Sequence, residues 1–163
     1  MMPASSADSS SAPFKYRFND STLLDEALTH KSYVNERKGS SQNHNERLEF
    51  LGDAVWSLYV SDALVSLLPT ASEGELTQRR AGLVSATALA DMAQLHGLAP
   101  LLVLSKGEEL TGGRLKTRVL SSSFEAVIGA IYLDGGLEAI RDLAREACVN
   151  TLEGEHVTLD PKT

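Results

Sequence analysis

Cysteine is nearly absent from this 163-residue chain. The single Cys148 excludes an internal disulfide and leaves nothing for a cysteine-based zinc site. Long hydrophobic runs are missing too. The longest aliphatic stretch, Leu98 to Leu104, is interrupted by Pro100 and falls far short of the roughly 20 residues a spanning helix needs. The N-terminus lacks the charged-then-apolar layout of a secretory signal, so a soluble, cytoplasmic protein with no membrane partner is expected. Positive charge is in deficit: 15 Lys and Arg face 22 Asp and Glu, for a net charge of −7. That argues against a broad basic surface gripping nucleic acid. It leaves room for an acidic site bridged to phosphate by metal ions. What is present, 42% hydrophobic and 23% charged residues, is enough for one globular domain with a real core.

Residues 1–12, MMPASSADSSSA, carry five serines and no aromatic or β-branched residue, the composition of a disordered or vector-derived leader. The domain is expected over 13–155, with a linker stub at 156–163. Within it the hydrophobic spacing is helical from Phe14 almost to the end, and alternation with period two is nowhere sustained. Asn19 or Asp20 caps a helix bearing Leu23, Leu24, Ala27 and Leu28, and His30 is placed on it as a hydrogen-bonded structural histidine. A loop follows from Glu36 to His44. Asn45 caps a segment from Glu46 to about Leu68, closed by Pro69. Ser72 and Glu75 form a capping box before Leu76, Leu83 and Val84. A helix from Thr87 to His96 stops at Gly97; Lys106 to Lys116 is a loop. Helical spacing resumes through Leu120, Phe124, Val127, Ile128 and Ile131 to Gly135 and Gly136, and a final helix runs from Leu137 to about Leu152. The expected fold class is all-α.

The segment NERLEFLGDAVWSLYV, Asn45 to Val60, is the most informative. At about 100° per residue, Glu46, Glu49 and Asp53 fall within about 60° of arc, while Leu48, Leu51, Ala54, Val55 and Leu58 form the expected core face. Phe50 and Trp56 flank the acids. Carboxylates at i, i+3 and i+7 on one rigid face suit a hard divalent cation such as Mg²⁺. They suit equally the positive N-terminus of a helix with a solvated Asp53. Gly52, costing about 1 kcal/mol inside a helix, hints at close approach of another backbone or a partner. A second carboxylate, Glu125, stands between Phe124 and Val127 with the hydroxyl of Ser122 one turn earlier. Alone it is a boundary residue; beside Glu49 and Asp53 it would complete an all-oxygen metal cage. Ser121, Ser122 and Ser123 lack a His–Asp arrangement, so no serine hydrolase is expected. Lys106, Arg114, Lys116 and Arg118 against Glu108 and Glu109 make a local basic island, which fits either phosphate positioning or a solvated loop.

HNERLEFLGDAV, His44 to Val55, resembles the signature segment of the ribonuclease III family. The resemblance extends through LLDEALTHKSY (Leu23 to Tyr33), EGELTQRRAGLVS (Glu73 to Ser85), GEELTGGR (Gly107 to Arg114) and FEAVIGAIYLDGG (Phe124 to Gly136), in the family's order and spacing. It implies an all-helical endonuclease domain that forms a two-fold homodimer and cuts double-stranded RNA with Mg²⁺, Mn²⁺ being able to substitute. It assigns Glu49, Asp53 and Glu125 to metal binding, with Asp53 and Glu125 catalytic. Glu46 matches an acid of the dimer and RNA-facing surface, Glu73 a further acid near the site, and Phe50 an aromatic that packs into the partner. One departure stands out: the family pattern has aspartate where this chain has Ser122, a neutral and weaker ligand. That points to weakened metal binding or, alternatively, to a catalytically impaired domain acting as a dimeric RNA-binding scaffold. Bacterial members carry a double-stranded-RNA-binding domain after the nuclease domain, and LDPKT, Leu159 to Thr163, resembles the linker into it. Without that domain, RNA affinity is expected to be weak and strongly salt-dependent.

Overall fold

A computed structural model describes residues 13–39 and 41–158; the expected leader 1–12 and residues 159–163 of the stub lie outside them. The described residues form eight α-helices: α1 (Ser21–Leu28), α2 (Lys31–Glu36), α3 (Glu46–Leu67), α4 (Glu73–Val84), α5 (Ala86–Leu95), α6 (Lys106–Leu110), α7 (Thr117–Leu133) and α8 (Leu137–Thr158). Among them the only β-pairing is an isolated parallel bridge between Thr29 and Val103. The all-α expectation is met.

Several helix starts follow directly from side-chain chemistry. Asp20 accepts the Thr22 N–H at 3.0 Å, and Ser72 accepts the Glu75 N–H at 3.2 Å. Ser85 does the same for Ala88 at 3.2 Å. Each satisfies a donor that the first turn leaves free. Gly97 and Gly135, at φ +69° and +88°, reverse the chain after α5 and α7 in a backbone region that side chains rarely adopt.

α7 is the centre of the domain, packed against α3, α5, α1 and α8. Phe124 is fully buried and meets Trp56 edge-to-face, with ring centroids 4.9 Å apart. The buried indole N–H donates to the Leu83 carbonyl at 3.3 Å, so burial leaves no polar group unmet.

The structure corrects the sequence reading in four places. α1 ends at Leu28, and His30 caps a separate short helix, α2, which the loss of periodicity around Thr29 had hidden. Asn45 precedes α3 without capping it; its amide instead donates to the Ala27 carbonyl at 3.2 Å. The stretch expected as a loop contains α6 and a 3₁₀ turn at Gly113–Leu115. Most consequential is the core face of α3, which is rotated from the expected one. Leu48, Val55, Trp56, Val60, Ala63 and Leu64 face inward, whereas Ala54 and Leu58 are exposed. A helix with apolar residues on two sides gives periodicity nothing with which to choose between them. The same double face lets this 22-residue helix pass for a membrane span by length and composition. Its inward row, however, is built into the domain's core.

Candidate active site

A cleft opens where α3 crosses α7. Gly52 and Gly129 lie at the crossing, and neither has room for a side chain: a Cβ on Gly52 would strike the Glu125 carbonyl, and one on Gly129 the Leu48 carbonyl. The approach of backbone that Gly52 suggested in the sequence is thus that of α7. Backbone contact at this point sets Glu49 and Asp53, one on each side of Gly52, against Ser122 and Glu125. These four side chains line a cleft of about 800 Å³.

Their arrangement is one of crowded negative charge. Glu125 is half-buried, and that burial, with Asp53 hydrogen-bonded to it and Glu49 nearby, pushes its carboxyl up to about 8. At neutral pH this holds Glu125 toward its protonated form. The Ser122 hydroxyl donates to Glu49 Oε1 at 3.0 Å. As the side chains stand, no three Asp, Glu, His or Cys residues among those described are gathered to hold a metal ion. Asp53 and Glu125 are joined to each other while Glu49 is turned to Ser122. The donors are nevertheless all oxygens, and a carboxyl driven this far from its usual range marks negative charge that a cation would relieve.

Other residues singled out from sequence divide into two groups. Glu46, Phe50, Lys116 and Arg118 do line the cleft. Glu46 pairs with Lys31 at 3.3 Å and Lys116 with Glu108 at 3.0 Å, while the Arg118 guanidinium has no partner among the described residues. Phe50 is 84% exposed and also borders a second hollow lined by Arg47, Leu51 and Leu133. Lys106, Arg114 and Glu73 are not brought to the cleft. Arg114 is consumed structurally: it chelates Glu109 through Nε and Nη2 at 2.9 and 2.6 Å, and Nη1 donates to the carbonyls of Ala99 and Leu102. Its expected contact with RNA is therefore corrected to a staple between α6 and the preceding turn. Glu73, at the exposed start of α4, accepts the Thr77 hydroxyl at 3.5 Å. Lys106 presents only its backbone N–H to a partner, Glu36 Oε2 at 3.0 Å.

His30, Lys31, Asn45 and Glu108 also line the cleft and escaped the sequence reading as site residues. They come from the α1–α2 junction, the residue before α3, and α6. No spacing rule links these segments. What joins the first to the strand-like stretch before α6 is the Thr29–Val103 bridge, with His30 N–H donating to the Val103 carbonyl at 3.0 Å.

The family model described as ribonuclease-III-like matches residues 20–152. The chain belongs to the ribonuclease III family. It is 56% identical over 124 residues to ribonuclease 3 of Oleidesulfovibrio alaskensis, covering 76% of this chain and 54% of that protein. To ribonuclease 3 of Bdellovibrio bacteriovorus it is 48% identical over 134 residues, covering 82% and 57%. The chain thus spans about half the length of these ribonuclease III relatives. Among solved structures, the nuclease domain of ribonuclease III from Campylobacter jejuni superposes with a TM-score of 0.76 at 38% identity, over 86% of this chain and 94% of that one. That work concerns flexibility in a region involved in dimer formation of the Campylobacter domain. Dicer from Pichia stipitis also superposes, with a TM-score of 0.65 at 28% identity, over 88% of this chain and 61% of that one.

Proposed function

We propose that this chain is a double-strand-specific endoribonuclease domain that hydrolyses RNA phosphodiesters with Mg²⁺ and works as a homodimer in the cytoplasm. The observation that carries the reading is the α3–α7 crossing, which sets Glu49, Asp53 and Glu125 along one half-buried cleft and drives the Glu125 carboxyl well above its usual range. Those three carboxylates would hold the cation, with Ser122 as a neutral neighbour, and Mn²⁺ would serve in place of Mg²⁺. The bound cation supplies Lewis acidity, lowering the pKa of a water and offsetting charge that builds on the phosphate. For the protein's part, Glu125 would release its proton to solvent on holding the cation, Glu49 is oriented by the Ser122 hydroxyl, and Arg118 is placed in the cleft to meet a phosphate.

The homodimer rests on α3. Phe50, Leu58 and Val65 are 84, 63 and 59% exposed on its outer side, with Ala54 between them. An apolar row of this kind, open to water on an acidic domain, marks an interaction surface. A two-fold dimer would present two clefts to the two antiparallel strands of a duplex.

A second reading rests on Ser122. With serine in place of the family's aspartate, the domain would bind RNA as a dimeric scaffold without cutting it. Incubating a long double-stranded RNA with the chain at low salt, with and without Mg²⁺, separates the two. Metal-dependent cutting that Glu125→Gln abolishes establishes the enzyme. Binding without cutting, restored to cutting by Ser122→Asp, establishes the scaffold.

A further inference from the structure

The His30 ring is held along one edge and open at the other. Its Nδ1 accepts the Ser32 backbone N–H at 3.2 Å, capping α2. The Ser32 hydroxyl lies 2.8 Å from the same nitrogen and itself accepts the Ser105 backbone N–H at 3.0 Å. With one lone pair of that hydroxyl taken, its own proton is free to point at Nδ1. A backbone N–H only donates, so Nδ1 is the bare nitrogen of the neutral ring and the proton resides on Nε2. Nε2 has no hydrogen-bond partner among the described residues, and the ring lines the cleft that contains the acids. Burial, the largest influence on this ring, also lowers its pKa.

The donor is also fixed in place relative to those acids. His30 N–H donates to the Val103 carbonyl at 3.0 Å, and Asn45 N–H to the Thr29 carbonyl at 3.0 Å. The Asn45 amide adds its bond to the Ala27 carbonyl at 3.2 Å, and the next residue, Glu46, opens α3. Two of the cleft's other donors are differently placed: Lys31 is paired with Glu46 and Lys116 with Glu108. Both are ammonium groups that an acidic cleft recruits into ion pairs. An uncharged N–H is not drawn to carboxylates in that way, and it leaves the negative charge of the site intact for a cation.

We propose that His30 is a positioning residue whose Nε2–H donates to a phosphate oxygen of the RNA strand seated in the cleft. Resting on the nuclease reading, the inference adds a neutral, preorganised donor to a site otherwise described by its acids. It assigns α2, six residues long, the task of fixing a tautomer.

His30→Asn is the discriminating variant, because asparagine is a good N-cap and retains an acceptor for the Ser32 N–H while removing Nε2. Its melting temperature should match the parent's, while KM for a short RNA duplex in Mg²⁺ should rise about tenfold with kcat much less affected. In the unaltered chain, the Nε2–H resonance of His30 should shift when the duplex is added with Ca²⁺ in place of Mg²⁺. This second readout requires no variant and decides the matter if His30→Asn folds poorly. A duplex that binds while the Nε2 signal stays still, or a KM equal to the parent's in a folded variant, overturns the inference. Failure of the unaltered chain to bind or cut any duplex would instead overturn the nuclease reading on which the inference stands.

Discussion

α3 and α7 cross at a pair of glycines and share one cleft, yet they are buried very differently. Eleven of the 17 residues of α7 are buried, from Val119 to Ile131, against seven of the 22 in α3. Both helices are rich in apolar residues. On α7 nearly all of that surface is spent on the domain's own core; on α3 a second row, through Phe50, Leu58 and Val65, faces outward. α7 therefore acts as the fixed member, and α3 as the member shared between the core, the acidic cleft and an apolar row open to solvent. Disturbing each helix at its own point of commitment tests that division.

The largest effect is expected at Glu125, on the fixed helix. Glu125→Gln should lower cleavage by about a thousandfold, since it removes an acid that would hold the cation. Stability should move the other way. Folding raises this carboxyl from 4.5 to about 8, so the folded chain binds the proton more tightly than the unfolded one. The resulting stabilisation is complete below about pH 4.5 and is lost as pH rises through about 8. Glutamine does not ionise and loses nothing over that range. In metal-free buffer above about pH 8, Glu125→Gln should be the more stable protein by on the order of 2 kcal/mol, the full linkage of roughly 5 kcal/mol being cut by the solvent that reaches this half-buried carboxyl. Added Mg²⁺ should close the gap by stabilising only the parent. Melting curves that show no difference opening with pH would contradict the crowded-charge account of the cleft.

At the crossing itself, Gly129→Ala should cost about 2 kcal/mol, because the new methyl meets the Leu48 carbonyl and forces α3 away from α7. Gly82→Ala is the matched control: Gly82 is helical and exposed, with nothing near its absent Cβ. It should gain up to about 1 kcal/mol from helix propensity alone. Denaturant titration of the two variants should give opposite signs. Equal signs would mean that the glycine crossing does not control the spacing of the helices.

How much of this was legible in the sequence depended on which physical signal each feature leaves. The capping serine Ser72 and the stop at Gly97 act over a few residues, so local chemistry is enough to place them. Glu49 and Asp53 stand out by their spacing on one helix, but only the resemblance to the ribonuclease III family joins Glu125 to them, because periodicity within a helix does not say which two helices meet. His30, Lys31 and Glu108 were missed because their meeting depends on the Thr29–Val103 bridge, a contact between segments without periodicity. The charge of Arg114 fits phosphate positioning or a solvated loop because composition shows a charge but not its partners; Glu109 and two carbonyls already occupy it. The core face of α3 was misplaced for a related reason. Hydrophobic spacing reports that a face avoids water, and both a core and a partner satisfy that requirement.

The outer face of α3 gives the next test. Phe50→Ser should leave the stability of the isolated domain nearly unchanged, since the ring is 84% exposed and contributes little to its own core. The same change should weaken self-association by about 30-fold, the loss of an aromatic anchor worth about 2 kcal/mol. Sedimentation across a concentration series reads both species. An unchanged dimerisation constant would reassign the row from Phe50 to Val65 to some other partner, whereas a fall in the melting temperature at monomeric concentrations would mean that Phe50 packs within its own domain.

The smallest and most diagnostic change is Ser122→Asp. In the metal-free protein it introduces a carboxylate beside Glu49, replacing a hydrogen-bond donor with a like charge. Stability without metal should fall by about 1 kcal/mol, and the Mg²⁺ concentration for half-maximal cleavage should fall several-fold, because one more charged ligand faces the cation. The two effects have a single cause and opposite signs, which no general loss of packing would produce. If metal-free stability is unaltered, the Ser122 hydroxyl is not what orients Glu49. If stability falls and the Mg²⁺ requirement does not, the serine holds Glu49 for a purpose other than cation binding. α3 and α7 would then meet at the cleft for structure alone, with no shared cation between them.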